Sequence, residues 1–413
     1  MGFVGLLGAG NLGNDGSLEA MLAYLRAEYP DAAFDFLCSG PNQVTARYGV
    51  PAAHLRWCHA ERPPGMIALV NKALRAPIGV IVDAFRTASW VRSHDVVIVP
   101  GMGVLETTLP VRAWHTPYSI FLVCASGRLW GTKVALVSVG ASVIRQRVTR
   151  RLVTWAARLA YYRSFRDAFS KDAMRRMGVD TAADGVYPDL AFSLSVPYGV
   201  SAVAGAVGLG VMDYHGGNDD RQQADLVHAS YVKTMKEFAL WLVDAGRPVR
   251  MFATDVHDEH VMHEVITYLR AQRPGLDRSQ LIAEPVSSLT DLMQQMACVE
   301  IVVASRYHNV LCALKLAKPT LSVGYAAKFD ALMAGAGLAD FCQPARSVDL
   351  GRLIEQFTDL ESRSAQLRQA IAERNAVIAG LLAHQFTTLS AHLFGAVELT
   401  LPACHKRVRT DAY

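Results

Sequence analysis

The feature that most constrains this chain is an alternation. Short apolar runs rich in β-branched residues are separated by longer segments with helical period, from one end almost to the other. In the first half the runs fall at residues 2–7, 33–37, 95–99 and 133–139, with helical segments at 16–28 and 116–130. Strands such as VVIV and ALVSV are apolar at successive positions, so both faces must be covered. Buried parallel strands flanked by helices meet that demand, and half-exposed antiparallel ones do not. The pattern restarts after a small-residue stretch at 193–205, with strands expected at 207–212, 249–253, 280–283, 299–303 and 320–323. Helices are expected between them at 221–245, 259–272, 288–296 and 308–317, and residues 350–394 read as mostly helical. The expected fold class is therefore α/β, with two doubly wound Rossmann-like domains facing a cleft. Residues 1–197 form the first, 198–375 the second, and 376–413 a helical tail.

Composition narrows the functional classes. With 51% hydrophobic and 19% charged residues over 413 positions, there is apolar surface enough to offset chain entropy, which excludes a disordered chain. A net charge of +4 is too mild for a dedicated nucleic-acid binder. The cysteines (Cys38, Cys58, Cys124, Cys298, Cys312, Cys342, Cys404) are odd in number and lack a C-x-x-C pair, so no disulfide framework, zinc site or other metal site is expected. A reducing cytoplasm fits them, as does an N-terminus without a basic leader. No run of ~18 uncharged apolar residues stands out. The nearest, residues 76–99, is interrupted by Asp83, Arg86, Arg92, His94 and Asp95, and reads as a helix followed by a strand.

Four segments at expected strand ends could carry chemistry. GAGNLGNDGS (residues 8–17) offers backbone N–H groups at a helix start, where an anion can be held. It lacks the lysine of a P-loop, and the spacing of Gly8, Gly10 and Gly13 alone is a weak dinucleotide signal. Asn11, Asn14 and Asp15 suit sugar hydroxyls, and equally suit helix capping. PGMGVLE (100–106) brings Gly101, Gly103 and the carboxylate of Glu106 to the end of VVIV. Residues 141–180 hold ten Lys and Arg against Asp167, Asp172 and Asp180, a field that would attract phosphate or an anionic lipid surface. Within it, YYRSFRDAFS places Arg166 and Asp167 at a strand-to-helix loop, where they read either as an anion site or as a buried ion pair. Finally, SRYHN places Arg306 just past a buried strand and His308 at the next helix start, with Tyr325 and Lys328 after the following strand. An arginine fork suits carboxylate or phosphate, and a histidine can give a proton near neutrality. The plainer reading of His308 is a residue that caps and packs.

These segments, in this order, resemble the polysaccharide pyruvyl transferase family. The family's glycine–asparagine loop matches GNLGND, with Asn14 inserted before the acid, and its glycine turn matches GMGVLE, with Met102 in place of a third glycine. Its R-D-x-x-S element matches RDAFS (166–170), followed by YPDLAF with Asp189, and its R-x-H element matches RYHN. The resemblance implies a glycosyltransferase-B-like arrangement and transfer of a pyruvyl group from phosphoenolpyruvate to two sugar hydroxyls, forming a ketal, with no cofactor or metal. It implies His308 as the acid and Arg306 with Arg166 as the anion clamp, helped by Asn309, Tyr325 and Lys328. Asp15 or Glu106 would be the base, and Gly10, Asn11, Asn14, Asp15, Gly101 and Gly103 would line the acceptor side. The acceptor is expected to be a saccharide, free or lipid-linked. The basic stretch and the apolar helices between residues 63 and 90 suggest peripheral contact with the inner membrane face. The competing readings are a nucleotide-sugar glycosyltransferase of the same architecture and a saccharide-binding member without activity.

Overall fold

A computed structural model describes residues 1–57, 66–106, 113–217, 220, 222–395, without the side chains of 66–77. Cys58, Pro63, Cys404, the expected helix start at Arg221 and the end of the expected tail lie outside the described residues. The first sheet has seven strands: β1 (Gly2–Gly5), β2 (Asp35–Cys38), β3 (Ala52–His54), β4 (Val96–Pro100), β5 (Lys133–Val139), β6 (Tyr162–Phe165) and β7 (Gly185–Val186). Their order is β3-β2-β1-β4-β5-β6-β7, every pair parallel. The second has β8 (Val207–Gly210), β9 (Val249–Phe252), β10 (Leu281–Ala283), β11 (Ile301–Ala304), β12 (Thr320–Gly324) and β13 (Cys342–Pro344). It repeats the same logic, β10-β9-β8-β11-β12-β13, again all parallel. Both are doubly wound Rossmann sheets, and each reverses direction beside its first strand, where such folds place ligands.

The sequence dictates this arrangement locally. All five residues of β4 are buried, and so are six of the seven in β5, so helices must cover both faces. Three strands escaped the sequence reading: β3, β7 and β13. Each has only two or three residues and sits at or next to a sheet edge, where few positions are apolar. Between Leu136 and Val139 the β5–β6 register shifts, with Ser138 at φ 49. That bulge re-aims the strand end just before Gly140.

The expected division at residue 375 does not appear, because one helix runs unbroken over Ser364–Phe394. It returns to the first domain, where Gln385 Nε2 donates to the hydroxyls of Ser138 (2.6 Å) and Ser164 (3.1 Å). Tyr24 stacks on Phe386 and its hydroxyl bonds Ser390 at 2.7 Å, while Lys133 Nζ caps the last carbonyls at Leu393. The chain thus closes on itself and ties the two domains together. This helix is also the one, among the described residues, that is long and apolar enough to cross a membrane, a property the sequence reading did not assign to it.

Cys38, Cys124 and Cys312 are buried as free thiols, and Cys298 and Cys342 are half-buried and free. Burial pushes the thiols of Cys38, Cys124 and Cys342 up to about 12, so none of these three is a ready thiolate.

Candidate active site

The carboxyl ends of both sheets point toward the seam between the domains, and the candidate residues sit on the turns that follow. Gly101–Glu106 follows β4, Gly140 follows β5, and Arg166 follows β6. Opposite them, Arg306–His308 follows β11 and Tyr325–Lys328 follows β12.

Arg166 is the hub. Its side chain is 6% exposed, and Nη2 bonds Glu106 Oε1. Nε lies 3.6 Å from Asp167 and Nη1 lies 3.9 Å from Asp189 Oδ2. The guanidinium also lies over the Tyr307 ring at 5.5 Å. Burial opposes its charge, but Glu106, Tyr307, Asp189 and Asp167 outweigh that penalty and hold it protonated. The ion pair rests on Gly140, where a Cβ would lie 2.6 Å from Arg166 Nη2. A residue with any side chain there would push the pair apart. Lys328, from the second domain, reaches the same carboxylate (Nζ to Glu106 Oε2, 4.0 Å) and also lies over Tyr307. Arg166 is thus in a buried ion pair, but its main partner is Glu106 and not the expected Asp167, which stays at 3.6 Å.

His308 stands beside this cluster. Its ring packs on Gly13 at the start of the Leu12–Glu28 helix, so closely that a Cβ at position 13 would overlap the imidazole. Nε2 is buried without a hydrogen bond and faces Asp189 Oδ2, 3.9 Å away and likewise unpartnered. The other oxygen of Asp189 accepts from the Ala191 N–H at 3.0 Å, capping a short 3-10 turn. Burial depresses the His308 pKa to about 4, with Asp189 working against that and Arg166 and Lys328 adding to it. In the free protein at neutral pH the imidazole is therefore uncharged.

Arg306 points elsewhere. Its Nε and Nη2 bond the fully buried Asp258 at 2.8 and 2.5 Å, a side-on fork in which Nη1 takes no part. Asp258 also accepts from the Asp213 N–H at 2.9 Å, so the arginine is fixed to the turns after β8 and β9. Asn309 is fully buried against Gly210, its amide atoms unpartnered. Tyr325 is half-exposed and stacks with Tyr214 at 6.0 Å.

The glycine-loop residues are put to local use. Asn11 caps its helix by accepting the Asn14 N–H, Asn14 Nδ2 donates to Leu6 O at 3.1 Å, and Asp15 Oδ1 accepts the Gly8 N–H at 2.8 Å. Burial raises the Asp15 pKa while the Gly8 bond opposes that. Gly10, at φ 84 and with open space around it, is the part of the loop free to meet a ligand. Ser17 donates to Gly101 O at 3.2 Å, and Gly103 sits beneath the Glu106 carboxylate. A cavity of about 130 Å3 behind the loop is lined by Asp15, Arg47 and Tyr48.

The structure therefore brings together Glu106, Arg166, Lys328 and His308, and holds Arg306 and Asp15 in separate bonds. It adds Asp189, Tyr307 and Asp258, which the sequence reading did not name as site residues. Asp189 had a signal, since it lies in a matched motif, whereas Asp258 lies in an ordinary helix start.

The family model for polysaccharide pyruvyl transferase matches residues 11–326, about three-quarters of the chain, including the turns after β4, β5, β6 and β11. The chain belongs to this family. No sequence among curated proteins matches it significantly. Its fold is shared with a putative UDP-N-acetylglucosamine 2-epimerase from Listeria monocytogenes, at TM-score 0.61 and 11% identity over 96% of this chain and 97% of that one. It is shared too with the UDP-GlcNAc 2-epimerase of Methanocaldococcus jannaschii, at TM-score 0.56 and 11% identity over 87% and 92%. Anabaena HepE, solved with UDP and glucose, gives TM-score 0.56 and 10% identity over 95% and 98%. At such identities these likenesses fix the glycosyltransferase-B-like fold of this pyruvyl transferase family member and nothing finer.

Proposed function

We propose that this protein transfers the pyruvyl group of phosphoenolpyruvate to two hydroxyls of a saccharide acceptor, giving a cyclic ketal and inorganic phosphate. The observation that carries the reading is the meeting, at the carboxyl ends of two sheets, of a half-buried imidazole, its Nε2 unpartnered, with Arg166 and Lys328. A donor bearing phosphate and carboxylate needs cations beside a proton source, and this cluster supplies both.

Arg166 and Lys328 take the donor's negative charge, releasing Glu106 from its present partner. His308 gives a proton to the donor's methylene carbon, which becomes the methyl of the product. An acceptor hydroxyl bonds to the central carbon, and Glu106 takes its proton. The carbon–oxygen bond to phosphate then breaks, a second hydroxyl attacks the same carbon, and its proton leaves with the phosphate. The depressed pKa of His308 fits this order, because the imidazole charges only when the donor's anionic groups arrive. Asp189, too distant to bond in the free state, orients the ring as the cleft closes. Arg306, set on Asp258, presents its Nη1 to the donor, and the loop with Gly10 faces the acceptor.

Peripheral membrane contact fits a lipid-linked acceptor. On the Arg147–Leu159 helix, Arg147, Arg151, Trp155 and Arg158 line one exposed stripe. Phe85 and Leu129 are 75% and 73% exposed on the neighbouring Met66–Arg92 and Thr116–Trp130 helices.

Phosphate release from phosphoenolpyruvate across a panel of saccharide acceptors, with the ketal methyl followed by NMR, tests the reading. The HepE likeness favours one alternative, a nucleotide-sugar enzyme. Turnover of a UDP-sugar without phosphoenolpyruvate would select that alternative.

A further inference from the structure

We propose that Asp213, His228 and His260, with His215 beside them, form a binding site for a divalent transition metal of the zinc class. The four come from three turns of the second domain. Asp213 and His215 follow β8, His228 lies in the Ala224–Asp244 helix, and His260 lies in the first turn of the Asp258–Gln272 helix. One ligand atom from each of Asp213, His228 and His260 falls within 4.8 Å of the others.

The spacing is that of ligands sharing an ion. From Asp213 Oδ1, His228 Nδ1 is 3.3 Å away and His260 Nε2 is 3.6 Å away. Tetrahedral bonds of about 2.0–2.1 Å put ligand atoms roughly 3.3–3.4 Å apart. Asp213 Oδ1 and His228 Nδ1 are moreover buried without a well-aligned hydrogen bond, despite the charged neighbours, which costs free energy unless something else satisfies them. His215 Nε2 lies 2.9 Å from the same oxygen and its ring stacks on His228 at 4.3 Å, near enough to close the set as a fourth ligand. Imidazoles with one carboxylate select zinc, nickel or copper over magnesium or calcium, which prefer all-oxygen shells. His260 is exposed, and a groove of about 550 Å3 along the same two helices has His228 in its wall, so an ion can enter from solvent.

The site would act on structure. An ion there pins the turn after β8 to two helices, and the backbone of Asp213 bonds the Asp258 carboxylate that holds Arg306. Metal binding itself is independent of the reaction proposed above. Only the consequence for Arg306 rests on that reading.

The test is Co2+ titration of the untagged full-length chain, followed by visible d–d absorption, with Zn2+ as competitor and Tm as a second readout. We expect one equivalent of Co2+ in a low-symmetry nitrogen–oxygen site, displaced by Zn2+, and a Tm that rises with Zn2+. His260→Gln, at an exposed position and checked for folding by circular dichroism, should weaken binding at least a hundredfold, and His228→Ala further. Wild-type protein that takes up no Co2+ or Zn2+, or binding equally tight in folded His260→Gln, overturns the proposal. Neither result depends on phosphoenolpyruvate turnover, so failure here and failure of the pyruvyl transfer reading are separable.

Discussion

The imidazole of His308, from the second domain, rests on the α-carbon of Gly13, at the first turn of a helix in the first domain. The two domains therefore meet where the proposed acid sits, and glycine at 13 is what allows the approach. Gly13→Ala keeps helical propensity, even improves it, yet places a methyl inside the ring's space. The ring or the domain seam must move, at a cost of about 1–3 kcal/mol for overpacking. Phosphate release should fall at least tenfold while far-UV circular dichroism stays unchanged. Full activity in Gly13→Ala would show that the seam is not set by this contact.

His308 itself should separate binding from chemistry. His308→Gln should leave phosphoenolpyruvate binding in place and lower kcat by ~100- to 10,000-fold, the usual worth of general acid catalysis. The pH dependence has a definite sign. A general acid works when protonated, so rate falls as pH rises through its pKa. With the free enzyme near 4, the basic limb of kcat/KM should begin well below neutrality. The limb of kcat reports the donor complex and should lie at higher pH, because the bound anion favours imidazolium. Coincident limbs for the two parameters would remove the charge-on-arrival step.

The same depressed pKa predicts a stability change. An unfolded histidine titrates near 6.5 and the folded one near 4, so between those values the unfolded chain binds more protons. Stability from this group is present above about 6.5 and lost as pH falls toward 4, on the order of 3 kcal/mol at full extent. Urea unfolding at pH 7 and pH 4.5 should show a smaller acid-induced loss in His308→Gln than in wild type. Equal losses would mean that the imidazole is solvated in the native state.

What the sequence made legible, and what it did not, follows from how each feature is encoded. The strand–helix alternation and the strand-end turns were readable because buried parallel strands are apolar at every position, as in β4. The short edge strands β3, β7 and β13 were not, since an edge pair demands little apolar surface. Glu106, Arg166, Lys328 and His308 could be named from motifs, but their meeting could not, because it depends on how two domains dock. Asp15 could be read two ways for a physical reason. An acid in a glycine loop serves equally well as a buried acceptor for a backbone N–H, and here it bonds Gly8. The ten basic residues of 141–180 also divided: Arg163 pairs with Asp184, and Arg175 and Arg176 pair with Asp172. Arg158 Nη2 donates to Gly178 O at 2.7 Å, which leaves Arg145, Arg147, Arg150 and Arg151 exposed to face a partner, two of them on the stripe of the Arg147–Leu159 helix.

Arg306 and Asp258 act as one unit in the proposed mechanism. Arg306→Lys keeps the charge but cannot make the two-bond fork to Asp258, and Asp258→Asn keeps the shape but removes the countercharge. Both should raise KM for phosphoenolpyruvate about tenfold or more with a smaller change in kcat, and the double variant should cost no more than the worse single one. Independent, additive losses would show that the arginine meets the donor without help from the carboxylate.

The exposed stripe gives the last prediction. Arg147, Arg151 and Arg158 flank Trp155, which is 48% exposed with its ring 5.9 Å from Phe121. A cationic face with an aromatic at its centre suits the headgroup layer of an anionic membrane, where each basic residue contributes about 1 kcal/mol. Sedimentation with phosphatidylserine-containing vesicles should show binding at low salt that fades as ionic strength shortens the Debye length. Replacing the three arginines by glutamine removes about 3 kcal/mol, so the partition coefficient should fall roughly a hundredfold. Trp155→Ser should weaken binding with little change in its salt dependence, since the ring adds apolar rather than charged contact. None of these residues touches the Glu106–Arg166 cluster, so turnover of a soluble acceptor should be unchanged. Vesicle binding that persists in the triple variant would place the membrane contact elsewhere, with the apolar Ser364–Phe394 helix the next segment to examine.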